Sequence, residues 1–135
     1  MELEIKEGRT IAGVGVDTIR IERVAQSYER FGERFIDRVY TDHEHQQALK
    51  KGNTARRLAM LFAAKEAVSK ALGTGFHQGV SPKLIETIHL PSGKPEINLY
   101  GKALLHAEAL GIAQVHISLT DDDGMALAFA IAERA

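Results

Sequence analysis

The 135-residue chain has no cysteine, which removes disulfides, thiolate metal sites and cysteine nucleophiles at one stroke. Any catalysis it performs must use oxygen, nitrogen or a bound metal. Charge of one sign is also missing: 17 basic and 18 acidic residues leave a formal net charge of -1, so no global field marks a nucleic-acid binder. No stretch approaches the ~18 uninterrupted apolar residues of a membrane span, and the first ten residues carry no apolar leader segment. These absences lead us to expect a cytoplasmic protein that engages neither membrane nor nucleic acid. What is present is a 44% apolar composition, enough for one domain of this length to bury about two-thirds of its unfolded surface without staples.

The pattern along the chain predicts an α+β fold. Ile11 to Val16 reads as a buried strand that delivers Asp17 at its end, with Gly13 and Gly15 leaving its surface bare for close approach. Ile21, Val24, Ala25 and Tyr28 have helical spacing over residues 19–28, with arginines on the other face. Gly32 breaks that pattern before a short helix near Phe35 and Ile36. Thr41 with Glu44 three positions later is a capping-box signature for a helix over 42–50. The longest helix spans 54–72 and stops at Gly73. Leu84 to Leu90 and Pro95 to Leu99 read as strands joined by the turn Pro91-Ser92-Gly93-Lys94, and residues 101–110 as a helix ended by Gly111. A final hairpin alternates Val115, Ile117 and Leu119 with polar residues, turns at Asp123-Gly124 and returns from Met125 to Ile131. Strands on either side of a helical block, without regular βαβ alternation, argue a small α+β domain: mainly antiparallel sheet packed on a long buried helix.

That long helix is apolar almost all round, so it is buried. Its polar residues Lys65, Glu66, Ser69 and Lys70 share one sector, with Glu66 and Lys70 at the i, i+4 spacing. The plain reading of such a pair is a helix ion pair, and the plain reading of Asp17 is a cap for the helix after it. Two carboxylates and a lysine are nevertheless what a Mg²⁺ and phosphate site requires: the metal takes one or two carboxylates and completes its shell with substrate phosphate and water. Asp17 and Glu66 would be those ligands, and Lys70 would meet phosphate oxygens as a point charge.

Other candidates fail. Gly13-x-Gly15 opens a dinucleotide fingerprint, but Thr18 holds the third glycine position. Gly73-Thr74-Gly75 lacks a Walker loop's Gly-Lys-Ser/Thr; its default meaning is a helix stop, though such a turn can approach a ligand closely. Asp42-His43-Glu44-His45 places its side chains on different sides of a helix and reads as capped and solvated. His116 and Ser118 share a strand face with no acid fixed beside them, which is weak ground for a hydrolase.

The same residues carry a resemblance. Gly13-Val14-Gly15-Val16-Asp17, followed by Phe62-Ala63-Ala64-Lys65-Glu66-Ala67-Val68-Ser69-Lys70-Ala71-Leu72-Gly73-Thr74-Gly75, resembles the holo-[acyl-carrier-protein] synthase family of phosphopantetheinyl transferases. Arg30-Phe31-Gly32-Glu33-Arg34-Phe35, Gly93-Lys94-Pro95 and His116-Ile117-Ser118-Leu119 extend the likeness from about residue 11 to the end. The resemblance implies the 4'-phosphopantetheinyl transferase fold and transfer of 4'-phosphopantetheine from coenzyme A to a serine of an apo-acyl carrier protein. Adenosine 3',5'-bisphosphate is released, in support of fatty acid biosynthesis. It implies Mg²⁺ on Asp17 and Glu66, phosphate contact by Lys70, substrate contact along Gly73-Thr74-Gly75, carrier docking on Arg23 and Arg30, and a homotrimer with coenzyme A between subunits. A trimer would also account for so apolar a helix in so small a domain. Residues 1–10 then form an N-terminal extension to a transferase domain over 11–135. Leu61 stands where many relatives have an arginine, with Arg56 and Arg57 nearly a turn earlier as substitutes, and Met125 stands where an aromatic is common. The group that takes the serine proton is open among Glu66, a second carboxylate and a water on the metal. Two rival readings keep part of the pattern: a Mg²⁺-dependent phosphohydrolase keeps the carboxylates, and a non-catalytic oligomeric binding module keeps only the apolar helix.

Overall fold

The computed structural model describes residues 10–50 and 52–135. The expected extension therefore lies outside the described residues except for Thr10, whose carbonyl accepts a 2.6 Å hydrogen bond from the Arg134 amide. Strand β1 (Ile11–Arg20) alternates in the two-residue period of a pleated strand. Gly15, Asp17 and Ile19 turn inward, while Val14, Val16 and Thr18 face out. β1 pairs antiparallel with β5 (Met125–Arg134), which pairs antiparallel with β4 (Ile112–Asp122). The β4–β5 turn falls at Asp123 and Gly124, with φ of 49° and 75°. Positive φ at both central residues is what a right-twisted two-residue hairpin demands.

Helix α4 (Thr54–Ala71) lies across the inner face of this sheet. The fit depends on small side chains. The inward residues of β5 are Ala126, Ala128, Ala130 and Ala132, all fully buried. On β1 a Cβ at Gly13 or Gly15 would collide with the carbonyl oxygen of Ala71 or Ala67. The helix backbone thus rests almost directly on the strand, antiparallel to it, which brings the last two turns of α4 beside residues 13–17 of β1.

Helices α1 (Ile21–Phe31) and α3 (Asp42–Lys50) cover the other side of α4, and α2 (Glu33–Val39) packs against α1. Val24 of α1 is buried, with Ile21 and Tyr28 packed against the core. The hairpin of β2 (Ile85–His89) and β3 (Pro95–Leu99) follows a 3-10 turn at Pro82–Leu84, and α5 (Gly101–Ala109) leads into β4.

Three expectations change. Asp17 is not at the end of a strand and does not cap α1: β1 continues to Arg20, because Thr18 and Ile19 pair with Leu127 and Ala126 of the long β5. Helix α3 is capped as expected and exposes Asp42 and His43, but it is not solvated throughout, since Glu44 is fully buried. The apolarity of α4 needs no trimer, because one chain covers the helix on both sides. The surface left open is the outer face of the sheet, where Val14, Val16 and Phe129 are 56%, 52% and 41% exposed, with Val16 directly opposite Phe129.

Candidate active site

Asp17 reaches the site by strand period, and Glu66 and Lys70 reach it by helix period. Past the two glycines, Asp17 is the next inward position on β1, facing the turn of α4 that carries Glu66 and Lys70. The Lys70 Nζ donates to Asp17 Oδ1 at 3.0 Å and to the Val16 carbonyl oxygen at 3.2 Å. Its carboxylate partner is therefore across the strand, not the Glu66 that the i, i+4 spacing suggests. Glu66 is half-buried and, among the described residues, its carboxylate has no hydrogen bond or ion pair, although its backbone carbonyl accepts from the Ser69 hydroxyl. Burial first and the neighbouring Asp17 charge second push its carboxyl above the usual glutamate range, while Lys70 pulls the other way. Asp17 and Glu66 line one cleft of about 330 Å³ between β1, α1 and α4, with Arg23, Ser27, Phe35 and Phe62 among its walls.

Arg23 and Arg30 both lie exposed on α1, seven residues apart and so on one helical face. Arg23 borders the carboxylate cleft, and the Arg30 guanidinium lies 5.2 Å from the ring centroid of the exposed Phe31. The Gly73-Thr74-Gly75 turn follows Lys70 directly. Gly73 and Gly75 take φ of 79° and 55°, and the three amides donate to the Lys70 and Ser69 carbonyls at 2.9, 3.2 and 3.1 Å. Those N–H groups finish the helix, so the turn offers a ligand bare surface in place of a cradle of free donors.

Lys65 is the residue that pattern reading misplaces. It does not join Glu66 and Lys70 but points to the opposite side of α4, fully buried. Its three N–H donors are all used, on Glu44 Oε1 at 2.6 Å, the Ile85 carbonyl at 2.7 Å and the Pro82 carbonyl at 2.9 Å. Burial holds its pKa below the ordinary lysine value, opposed chiefly by Glu44. Glu44 also closes the capping box with Thr41 and accepts the Thr87 amide at 3.0 Å through Oε2. The capping spacing is visible in the sequence; its second use as a buried counter-ion is not.

A second cleft, about 490 Å³, opens at the start of α4 between Lys50, Arg56, Arg57 and Leu61. Leu61 is 4% exposed and forms its floor. Arg56 is held by Asp121 at 2.7 Å, while the Arg57 Nε donates to the Gly52 carbonyl at 3.2 Å. His116 lies 3.0 Å from Glu133 on the outer sheet face, remote in the fold from the carboxylates on the inner face.

Residues 13–130 match the family model described as the 4'-phosphopantetheinyl transferase superfamily. The chain belongs to that superfamily. The holo-[acyl-carrier-protein] synthase of Desulfovibrio desulfuricans is 42% identical over 123 residues, which cover 91% of this chain and 98% of the relative. The crystal structure of the Neisseria meningitidis holo-[acyl-carrier-protein] synthase superposes with a TM-score of 0.82 at 38% identity, covering 92% and 99% of the two chains. The Helicobacter pylori enzyme, solved in complex with coenzyme A, gives a TM-score of 0.78 at 28% identity over 88% of this chain and 98% of that one. Both the fold class and the family expected from the glycine-aspartate and Phe-Ala-Ala-Lys-Glu-Ala segments are thereby established.

Proposed function

We propose that the protein transfers 4'-phosphopantetheine from coenzyme A to a serine of an apo-acyl carrier protein, releasing adenosine 3',5'-bisphosphate, in support of fatty acid biosynthesis. The observation that carries this reading is that Asp17 and Glu66 line one cleft, with Lys70 paired to Asp17, in a chain whose family transfers that group. Mg²⁺ fits the residues present. Two carboxylates face one cleft, one of them without a partner and raised in pKa by burial first and the other carboxylate second, and among the described residues no third His, Asp or Glu completes a cluster. A site supplying two carboxylates and leaving the rest to phosphate and water suits Mg²⁺. When bound, the metal supplies positive charge to the pyrophosphate during displacement at phosphorus.

The chain's own residues do the remainder. Asp17 is anchored in the middle of a paired strand and Glu66 in a buried helix, so their separation is set by the glycine contacts between β1 and α4. Lys70 contributes charge against the phosphate oxygens as the nucleotide leaves. Glu66, whose carboxylate lines the cleft without an ion-pair partner, is one protein group there that could accept the serine proton. Phe35 and Phe62 border the carboxylates and reduce the water around them. Arg23 and Arg30 dock the carrier next to that cleft, and Gly73 to Gly75 give coenzyme A a surface without obstruction. Arg57, whose partner is a backbone carbonyl, stands in for a phosphate-contacting arginine at position 61.

The assembly we propose is a homotrimer, supported by the open apolar face of Val14, Val16 and Phe129, with coenzyme A bound between subunits. No helix among the described residues is long and apolar enough to cross a membrane; the cytoplasm, a reducing compartment, suits a chain without cysteine. Residues 11–135 form the catalytic domain and 1–10 an addition to it. The experiment that separates this reading from a phosphohydrolase follows adenosine 3',5'-bisphosphate released from coenzyme A and Mg²⁺ with and without apo carrier. Release that requires the carrier supports transfer. Equal release without it assigns water as the acceptor and sinks the proposal.

A further inference from the structure

The ammonium of Lys70 sits where a cation for Asp17 belongs. Its Nζ touches Asp17 Oδ1 and the Val16 carbonyl, yet half of the side chain is exposed, whereas the Asp17 side chain is 17% exposed. Lys65, on a different side of α4 from Lys70, shows the contrast: all three of its donors are fixed and none of its side chain meets solvent. Lys70 has two contacts and room to leave them. Beside it Glu66 is without a partner, so two carboxylates share a single ammonium.

We infer that Lys70 is the resident counter-ion of the metal-free site, and that it is handed from Asp17 to substrate phosphate when a divalent cation takes the carboxylates. The inference rests on the reading of Asp17 and Glu66 as metal ligands. A divalent ion and an ammonium cannot both sit against the same carboxylate without strong repulsion. Leaving is easy because an ion pair with so exposed a partner holds weakly. The flexible four-carbon stem lets Nζ move while the helix stays fixed. Two consequences follow. Lys70 competes with the metal in the absence of substrate, so it lowers metal affinity there. Once phosphate is present the sign reverses: phosphate draws Lys70 off Asp17 and strengthens metal binding, and the metal strengthens phosphate binding by the same factor. Lys70 is therefore the element that couples the two ligands, beyond its contact with phosphate.

The test uses Mn²⁺ alone as the probe, read by loss of its free-ion electron paramagnetic resonance signal, on the full chain and its Lys70→Gln and Asp17→Asn variants. Circular dichroism checks that each is folded. Lys70→Gln is expected to bind Mn²⁺ about twofold to fivefold more tightly than the parent, while Asp17→Asn loses most binding. Adding adenosine 3',5'-bisphosphate should tighten Mn²⁺ binding by a larger factor in the parent than in Lys70→Gln. If the parent binds Mn²⁺ and Lys70→Gln binds equally or more weakly, or both show the same coupling to the nucleotide, the handover is wrong and the metal site stands. If no protein of the set binds Mn²⁺, the metal assignment falls and the handover with it.

Discussion

Replacing Lys65 with methionine tests the packing logic that holds α4 in place. The substitution keeps most of the stem and deletes the ammonium, leaving the fully buried Glu44 without its 2.6 Å partner and the Pro82 and Ile85 carbonyls without donors. Glu44 retains only the Thr41 and Thr87 amides. Breaking a buried pair from one side costs about 3–5 kcal/mol, because the surviving charge is stranded. Unfolding entropy of about 2.1 cal/mol/K per residue over a chain of this length converts each kcal/mol to roughly 3–4 °C, so the midpoint should fall by roughly 10–18 °C. The assay is thermal and urea unfolding of Lys65→Met, Glu44→Gln and the double variant at pH 7. The double variant should be more stable than the sum of the two single losses implies, since no charge remains buried without a partner. A loss under about 1 kcal/mol for Lys65→Met, or strict additivity in the double variant, would refute the buried-pair argument.

Three further outcomes follow from the site and its scaffold. Because Glu66 binds its proton more tightly in the folded chain than its ordinary 4.5, its favourable contribution exists below that pH and is lost as pH rises through the folded value; Glu66→Gln should therefore abolish transfer while raising the unfolding midpoint at pH 7, with the gain vanishing near pH 4 in a melting series. Gly15→Val should prevent soluble folded protein from accumulating, because the new Cβ meets the Ala67 backbone, which no side-chain rotation relieves; a folded, active Gly15→Val would overturn the close-contact account. Arg23→Glu with Arg30→Glu should raise the KM for carrier protein, flatten its dependence on ionic strength and leave the coenzyme A KM nearly unchanged, as steady-state kinetics at several salt concentrations would reveal.

How much of this was readable before folding depends on which period a residue obeys. The alternation of β4, the Asp123-Gly124 turn and the Thr41/Glu44 capping box are local patterns, and the structure keeps them. The glycines at 13 and 15 announced a close approach, and the helix backbone supplies it. Local spacing fails where a partner is distant in sequence. Lys70 pairs with Asp17 across 53 residues, although Glu66 sits at the helical spacing. Lys65 pairs with Glu44 across 21 residues, on the side of α4 away from the carboxylates. A lysine inside an otherwise apolar helix was the available signal that a buried counter-ion existed; a single helical wheel cannot tell which side of the helix it serves. The four inward alanines of β5 let α4 settle on the sheet, a role that appears only once both elements are in place.

In the function we propose, Asp17 and Glu66 jointly hold the metal needed to move phosphopantetheine onto a carrier serine. Intact mass spectrometry of an apo-acyl carrier protein after incubation with the protein, coenzyme A and Mg²⁺ measures that directly. The carrier should become heavier by one phosphopantetheine group, a gain that disappears on adding a chelator or on substituting the carrier serine with alanine, and that is nearly absent with Asp17→Asn or Glu66→Gln at matched folding. An unmodified carrier with the parent protein, or full modification by both carboxylate variants, would contradict it.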